Sequence, residues 1–295
     1  MKREIFRGAG VAIATPMHED GSINYPLFES FIDYQIENGT DAIIVCGTTG
    51  EAATMDHEEH LRTIETCVKR VAGRVPVIAG TGSNDTRYAV QLSNDAEALG
   101  VDGLLMVTPY YNKTSQAGLI AHYHYVADRV HTPIILYNVP SRTGCNIQPA
   151  TYAELCKHPN IVATKEANGD IAALAATRNL CGDNLAVYSG NDDQITPILA
   201  MGGSGVISVL SNIMPRETHD ICQRFFDGDV AGSSELQIRL IYLIQALFCD
   251  VNPIPVKTAL NLMGKGFGEC RLPLAPMSDS ARGILKMRMA ELGLI

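Results

Sequence analysis

A chain of 295 residues with 46% hydrophobic and 19% charged side chains is globular and long enough to bury the large core of an α/β barrel. Its 23 basic residues against 32 acidic ones leave a formal charge of −9 with no basic cluster, so nucleic acid and anionic membrane are poor partners. No apolar run reaches a membrane span, and the start, Met1 to Phe6, lacks the apolar core of a signal peptide; a soluble, cytoplasmic protein is expected.

The first β-rich run, Val11–Thr15, reads as a strand, and the spacing that follows predicts a helix over Tyr25–Asn38. The alternation repeats with Ala42–Cys46 and His57–Val71, Val75–Ala79 and Asp85–Leu99, then Gly103–Thr108 and Gln116–Val130. Further strands are expected at Pro133–Tyr137, Ile161–Lys165, Leu185–Ser189 and Gly205–Val209. Gly39, Gly73 and Gly100 stand where helices stop and suit a left-handed terminal position. Strand and helix repeated eight times is the pattern of parallel βαβ units, which close into a (β/α)8 TIM barrel.

After Asn212 the strands cease. Helices are expected over Pro215–Phe226, Ala231–Phe248, Pro255–Met263 and Asp279–Leu292. The first completes a barrel domain over 1–227, and the others form a C-terminal helical extension over 228–295. The second carries Leu236, Ile238, Leu240, Ile241, Leu243, Ile244 and Leu247 around most of its circumference. That helix should be sandwiched between the barrel and a further surface, such as another subunit. Eight cysteines lie scattered from Cys46 to Cys270 with no C-x-x-C pair, which suits reduced thiols better than disulfides or zinc.

Barrels of this kind place chemistry at the carboxyl ends of their strands. The unusual residues collect there: Gly47 to Glu51 after the second strand, Thr108 to Asn112 after the fourth, Tyr137 to Gly144 after the fifth, and Ser189 to Asp193 after the seventh. Lys165 ends the sixth, inside the apolar run Ile161 to Ala167. Burying an ammonium costs several kcal/mol unless it is paired or neutralised, and a neutral amine attacks carbonyls. Taken alone, Lys165 also fits a strand-end lysine whose head reaches water; the company of the other loops favours the reactive reading.

Gly47–Glu51, Tyr137–Gly144 and Lys165–Ala167, with Asn252–Lys257 in the extension, resemble the pyruvate-dependent Schiff-base aldolase family over essentially the whole chain. The nearest likeness is to the branch that condenses pyruvate with L-aspartate 4-semialdehyde in diaminopimelate and lysine biosynthesis. The resemblance implies that Lys165 forms an imine with pyruvate and that the derived enamine attacks the aldehyde. Tyr137 would donate and accept the protons this requires, and Thr48 and Tyr111 would relay them toward solvent, since each hydroxyl both donates and accepts. The residue matching Tyr111 crosses a dimer interface in the family, so each site needs its neighbour, and a homotetramer (dimer of dimers) is expected. Thr49 and the backbone at Ile207 would hold the pyruvate carboxylate, Gly190 would leave room beside it, and Arg142 would take the carboxylate of the second substrate bidentately. Neither a cofactor nor a metal is expected.

Two other functions stay open on the residues: a lyase of the same barrel acting on sialic acid or a 2-keto-3-deoxy sugar acid, and a non-catalytic keto-acid-binding barrel. Arg142 speaks against the first, and the joint presence of Lys165, Tyr137, Thr48 and Tyr111 against the second. In relatives inhibited by lysine, the ligand sits in a cleft at the dimer interface. The matching positions Ala53, His57, His60, Asn84 and Tyr110 are kept, but Ala52 replaces a common serine and Tyr88 an acidic residue that contacts the ammonium. Weak or absent inhibition by L-lysine is therefore expected. His57 and His60 lie three residues apart, which does not fit the four-residue zinc spacing. His122 and His124 diverge on their helix and are expected at the surface, and Asp192-Asp193 reads as a pair favouring a helix start.

Overall fold

Eight parallel strands form a closed barrel in chain order in the computed structural model, which describes residues 4–295. The strands are β1 Gly8–Ala12, β2 Ala42–Val45, β3 Val77–Gly80, β4 Gly103–Val107, β5 Ile134–Asn138, β6 Ile161–Glu166, β7 Ala186–Ser189 and β8 Gly205–Ser208. Around them lie α1 Tyr25–Glu37, α2 His57–Val71, α3 Thr86–Ala98, α4 Gln116–Ala127, α5 Pro140–Thr143, α6 Pro149–Leu155, α7 Ile171–Cys181, α8 Ile195–Ala200 and α9 Pro215–Phe226. Three further helices follow: α10 Val230–Leu247, α11 Ile254–Leu262 and α12 Asp279–Glu291. The expected elements are all present, most with ends moved by one to three residues. None of the helices is long and apolar enough to cross a membrane.

The largest displacement is the first strand, expected at Val11–Thr15 and found at Gly8–Ala12. Glycine lowers strand propensity and hides the strand's beginning. Here it answers a steric demand: β1 pairs with β8 so tightly that a Cβ on Gly205 would sit 1.8 Å from the Gly8 carbonyl oxygen. Covering the sheet on both faces explains why strand residues are apolar in continuous runs. One cluster, including Ile44, Leu105, Tyr137 and Ile207, fills the barrel interior, and a larger one joins the sheet to the helices. Phe6 stacks on Tyr188 at 4.3 Å between centroids, and the Tyr188 hydroxyl donates to the Phe6 carbonyl. The amino-terminal end of the barrel is thereby plugged, and the opposite end is left for a site.

α10 is two-faced rather than apolar all round. Leu236, Leu240, Leu243, Ile244 and Leu247 are buried, each contributing roughly 1.5–3 kcal/mol at full burial. Ile238 and Tyr242, one helical turn apart, are 69% and 60% exposed. Ile238 and Ile241 border an apolar groove of about 450 Å³ with Pro197 and Val230.

His122 corrects the expectation of a surface residue: it is buried on α4, with Thr86 Oγ1 2.9 Å from its Nδ1 and, among the described residues, no partner for Nε2. Period alone could not show that the α3–α4 seam covers this ring. Burial pushes its pKa down to about 4. The unfolded chain binds the proton near pH 6.5, so stability is greatest above 6.5 and falls as the pH drops from there toward about 4, by roughly 3 kcal/mol at ~1.4 kcal/mol per pH unit. Urea unfolding at pH 7 and pH 4.5 should therefore show a larger acid-induced loss for the native chain than for His122→Asn. Equal losses would show that this ring does not govern the acid limb.

Candidate active site

A cavity of about 160 Å³ opens at the carboxyl ends of the strands. Lys165, Tyr137, Thr48, Thr49, Arg142 and Gly190 all line it, although they come from four different strand ends and are up to 142 positions apart, from Thr48 to Gly190. Tyr137 and Lys165 are directly opposed in the β5–β6 register, and the Lys165 amine lies 4.3 Å from the centre of the Tyr137 ring. Ile207 does not line the cavity; it is wholly buried in β8, two residues before Val209, which does. A Cβ on Gly190 would meet the Ala167 Cβ at 2.8 Å and the Lys165 Cε at 3.2 Å, so a larger residue there would press on the amine's own stem.

The residues after Tyr137 and Lys165 point the other way, as strand alternation requires. There the Asn138 amide donates to both Glu166 carboxylate oxygens at 3.0 and 3.2 Å, and the Tyr152 hydroxyl donates to one of them at 2.8 Å. Burial pushes the Glu166 carboxyl up from its ordinary value, against these hydrogen bonds, which hold it down. This link ties β5 to β6 one residue beyond the reactive pair. Asp192 opens a short helical turn over Asp192–Gln194, as expected of an acidic pair at a helix start, and it is buried there. Its Oδ2 accepts from Val209 N at 3.0 Å and Leu210 N at 2.9 Å, holding the end of β8. Burial pushes its carboxyl up, opposed by those donors and by the nearby Lys165.

Two lysines are buried among the described residues, and their surroundings are opposite. Lys257 on α11 is 1% exposed and fully engaged, donating to Glu51 Oε1 and to the Glu269 carbonyl, each at 2.8 Å. Lys165 is 6% exposed and, among the described residues, forms no ion pair. The Lys257 partner, Glu51, ends the Gly47–Glu51 loop with a left-handed φ of 59°, and its second oxygen accepts from Arg271 N at 2.9 Å. The loop that presents Thr48 and Thr49 is thus anchored to the chain's last quarter. Asn252 adds a second anchor, donating from Nδ2 to Thr49 Oγ1 at 3.0 Å, while its carbonyl accepts from Arg142 at 3.1 Å. Sequence reading assigned roles to none of Glu51, Lys257, Asn252, Asn138 and Glu166. An acid closing a glycine-rich loop was the available signal for Glu51; Asn252 carried none beyond its place in a shared segment.

A model of the dihydrodipicolinate synthetase family matches residues 5–291. The chain belongs to that family. The 4-hydroxy-tetrahydrodipicolinate synthase of Caldicellulosiruptor saccharolyticus is 55% identical over 290 residues, covering 98% of each chain. Among solved structures, the chloride-inhibited dihydrodipicolinate synthase of Acinetobacter baumannii, complexed with pyruvate, superposes with a TM-score of 0.97 at 41% identity and covers 99% of this chain and 100% of that one. The DHDPS from Cyanidioschyzon merolae with lysine bound gives 0.96 at 39% identity, with coverage of 99% and 100%.

Two groups of expected residues lie outside the cavity of this dihydrodipicolinate synthetase family member. Tyr111 is 92% exposed and holds a left-handed φ of 66°. An aromatic residue in that conformation is uncommon. Of the residues matching the family's lysine cleft, His57 lies with Nδ1 3.4 Å from the Tyr88 hydroxyl and Nε2 3.3 Å from Asp95. Asn84 donates to the Tyr110 carbonyl at 3.2 Å, and Ala53 is exposed in the turn before α2. His60 is buried beneath them, its Nε2 2.9 Å from the Gly80 carbonyl oxygen, and burial pulls its pKa down.

Proposed function

We infer that this protein condenses pyruvate with L-aspartate 4-semialdehyde through a lysine Schiff base, giving 4-hydroxy-tetrahydrodipicolinate on the route to diaminopimelate and L-lysine. The observation that carries the site assignment is the unpaired, buried Lys165 amine beside Tyr137, in a cavity that Thr49 and Arg142 also line. The Lys165 nitrogen attacks the keto carbon of pyruvate, and water leaves as protons pass through the Tyr137 hydroxyl. The protonated imine acidifies the methyl group, and the enamine formed by its deprotonation attacks the aldehyde carbon. The substrate nitrogen then closes the ring and releases the lysine. Thr49 receives the pyruvate carboxylate, with Gly190 clearing space, and Arg142 takes the carboxylate of the aldehyde. Arg142 at the rim favours this reading over a sugar-acid lyase. Incubation with pyruvate and L-aspartate 4-semialdehyde should consume them in equal amounts, whereas N-acetylneuraminate should not be cleaved; the reverse pattern would overturn the assignment.

Tyr111 completes the proton path of a neighbouring subunit, together with Thr48, in a homodimer that pairs again into a tetramer. Its exposure and left-handed backbone support this reading, because such strain persists where surroundings impose it. The apolar groove beside Ile238 and Tyr242 supports the second interface. Tyr111→Phe should lower activity strongly, and subunit exchange with Lys165→Ala should restore part of it, since a mixed dimer regains one complete site. Exchanged heterodimers with no gain would place Tyr111 outside the proton path.

Feedback by L-lysine should be weak or absent. Tyr88 offers a ring where an acidic side chain would meet the ligand ammonium, and its hydroxyl already faces His57. Losing a charge-assisted partner costs roughly 1.5–3 kcal/mol, or about one to two decades of affinity. An inhibition titration should give no half-maximal effect below about 1 mM, and Tyr88→Glu should strengthen inhibition; a potent native response would sink the idea.

A further inference from the structure

Asn252 is buried, lines the cavity shared by Lys165 and Arg142, and comes from the segment between α10 and α11 rather than from the barrel. Two of its polar groups are bonded and a third is not. Its carbonyl oxygen accepts from Arg142, its Nδ2 donates to Thr49 Oγ1, and its Oδ1 has no partner among the described residues. The amide orientation follows from the hydroxyl it meets. If Thr49 is to give its single proton to the pyruvate carboxylate, its oxygen must accept from Asn252, which turns Nδ2 toward Thr49 and leaves Oδ1 as the free acceptor. A buried acceptor left unmade costs free energy, and because Asn252 lines a binding cavity, a bound ligand is the available source of a donor.

Pyruvate cannot supply that donor, because its carboxylate and keto oxygens only accept. The aldehyde substrate can, through its ammonium group. That nitrogen sits on the same carbon as the carboxylate assigned to Arg142, and Asn252 touches the Arg142 guanidinium directly. We propose that Asn252 Oδ1 accepts a hydrogen bond from the α-ammonium of the aldehyde, so that Asn252 selects an amino aldehyde and orients its nitrogen for ring closure. This deepens the activity inferred above and rests on it.

The consequence for the reaction is positional. After the carbon–carbon bond has formed, the same nitrogen must give up a proton and attack the imine carbon. A carbon–nitrogen bond to the substrate amine forms, the bond to Lys165 Nζ breaks, and the lysine leaves as an amine carrying the proton. Asn252 holds the attacking nitrogen and takes no proton itself. With the carboxylate on Arg142 and the aldehyde at the enamine, the ammonium contact is the third point that distinguishes the two enantiomers.

The test compares L-aspartate 4-semialdehyde as substrate with succinate semialdehyde, which lacks the amine, as a competing ligand. Asn252→Ala should raise KM for the amino aldehyde by on the order of tenfold to a hundredfold while changing the inhibition constant of succinate semialdehyde by less than about threefold. Asn252→Asp, which keeps an acceptor oxygen there, should restore most of the preference. Borohydride trapping of pyruvate on each variant reports that the fold and the Lys165 site are intact. Equal weakening of both ligands would show that Asn252 acts only by positioning Arg142 and Thr49, and would overturn the proposal, as would an unchanged KM. If the native enzyme failed to turn over the amino aldehyde at all, the activity itself would fall, and the proposal with it.

Discussion

Lys165→Ala is expected to abolish the pyruvyl adduct that borohydride traps on the native enzyme, and to lower kcat by on the order of 10³-fold or more. The size follows from the kind of loss. Removing a hydrogen bond weakens a step, whereas removing the nucleophile deletes the covalent path altogether. The surroundings make the assignment specific. Lys257 is just as buried, but its ammonium is spent on Glu51 and the Glu269 carbonyl. Lys113 lies exposed in the loop beside Gly144, without an apolar enclosure. Intact mass should show one reduced pyruvyl group per chain, and peptide mapping should place it on Lys165. An adduct on Lys257 or Lys113 would overturn the assignment.

Lys257→Met should destabilise the protein by about 3–5 kcal/mol and raise KM for pyruvate. Both members of the Lys257–Glu51 pair have side chains only 2% exposed, so deleting the cation strands a carboxylate in the interior. The Arg271 amide remains on the other Glu51 oxygen and cannot replace a full charge. Because Glu51 holds a left-handed backbone at the end of the Thr48–Thr49 loop, its release should loosen the carboxylate-binding turn as well as the fold. The double variant Lys257→Met with Glu51→Gln removes the stranded charge and should recover part of the stability. Urea unfolding measures this, and a single variant within 1 kcal/mol of the native chain would contradict the account.

The asymmetry between the barrel and its site has a physical basis. The βαβ rhythm and the (β/α)8 closure were legible because strand and helix periodicities are local and each unit repeats them. β1 was displaced because its glycines serve a contact with β8, nearly 200 residues away, and glycine is silent in propensity. The strand-end loops carrying Thr48, Thr49, Tyr137, Arg142 and Lys165 were legible because barrel geometry fixes which ends meet, the family resemblance singled out the individual residues, and all five line one cavity. His122 was misplaced because its burial depends on what neighbouring elements cover, and no periodicity records that.

By itself, then, the sequence determined the order of elements, the end of the barrel that carries the chemistry and the residue types gathered there. All of these follow from near-neighbour preferences and from one repeated unit. Only the tertiary structure separated the two buried lysines, engaging Lys257 with Glu51 and leaving Lys165 unpaired over Tyr137. It alone brought Asn252 from beyond the barrel onto Thr49 and Arg142. Charge pairing and hydrogen-bond satisfaction are decided between residues about 100 to 200 positions apart, and those distances close only when the chain has folded.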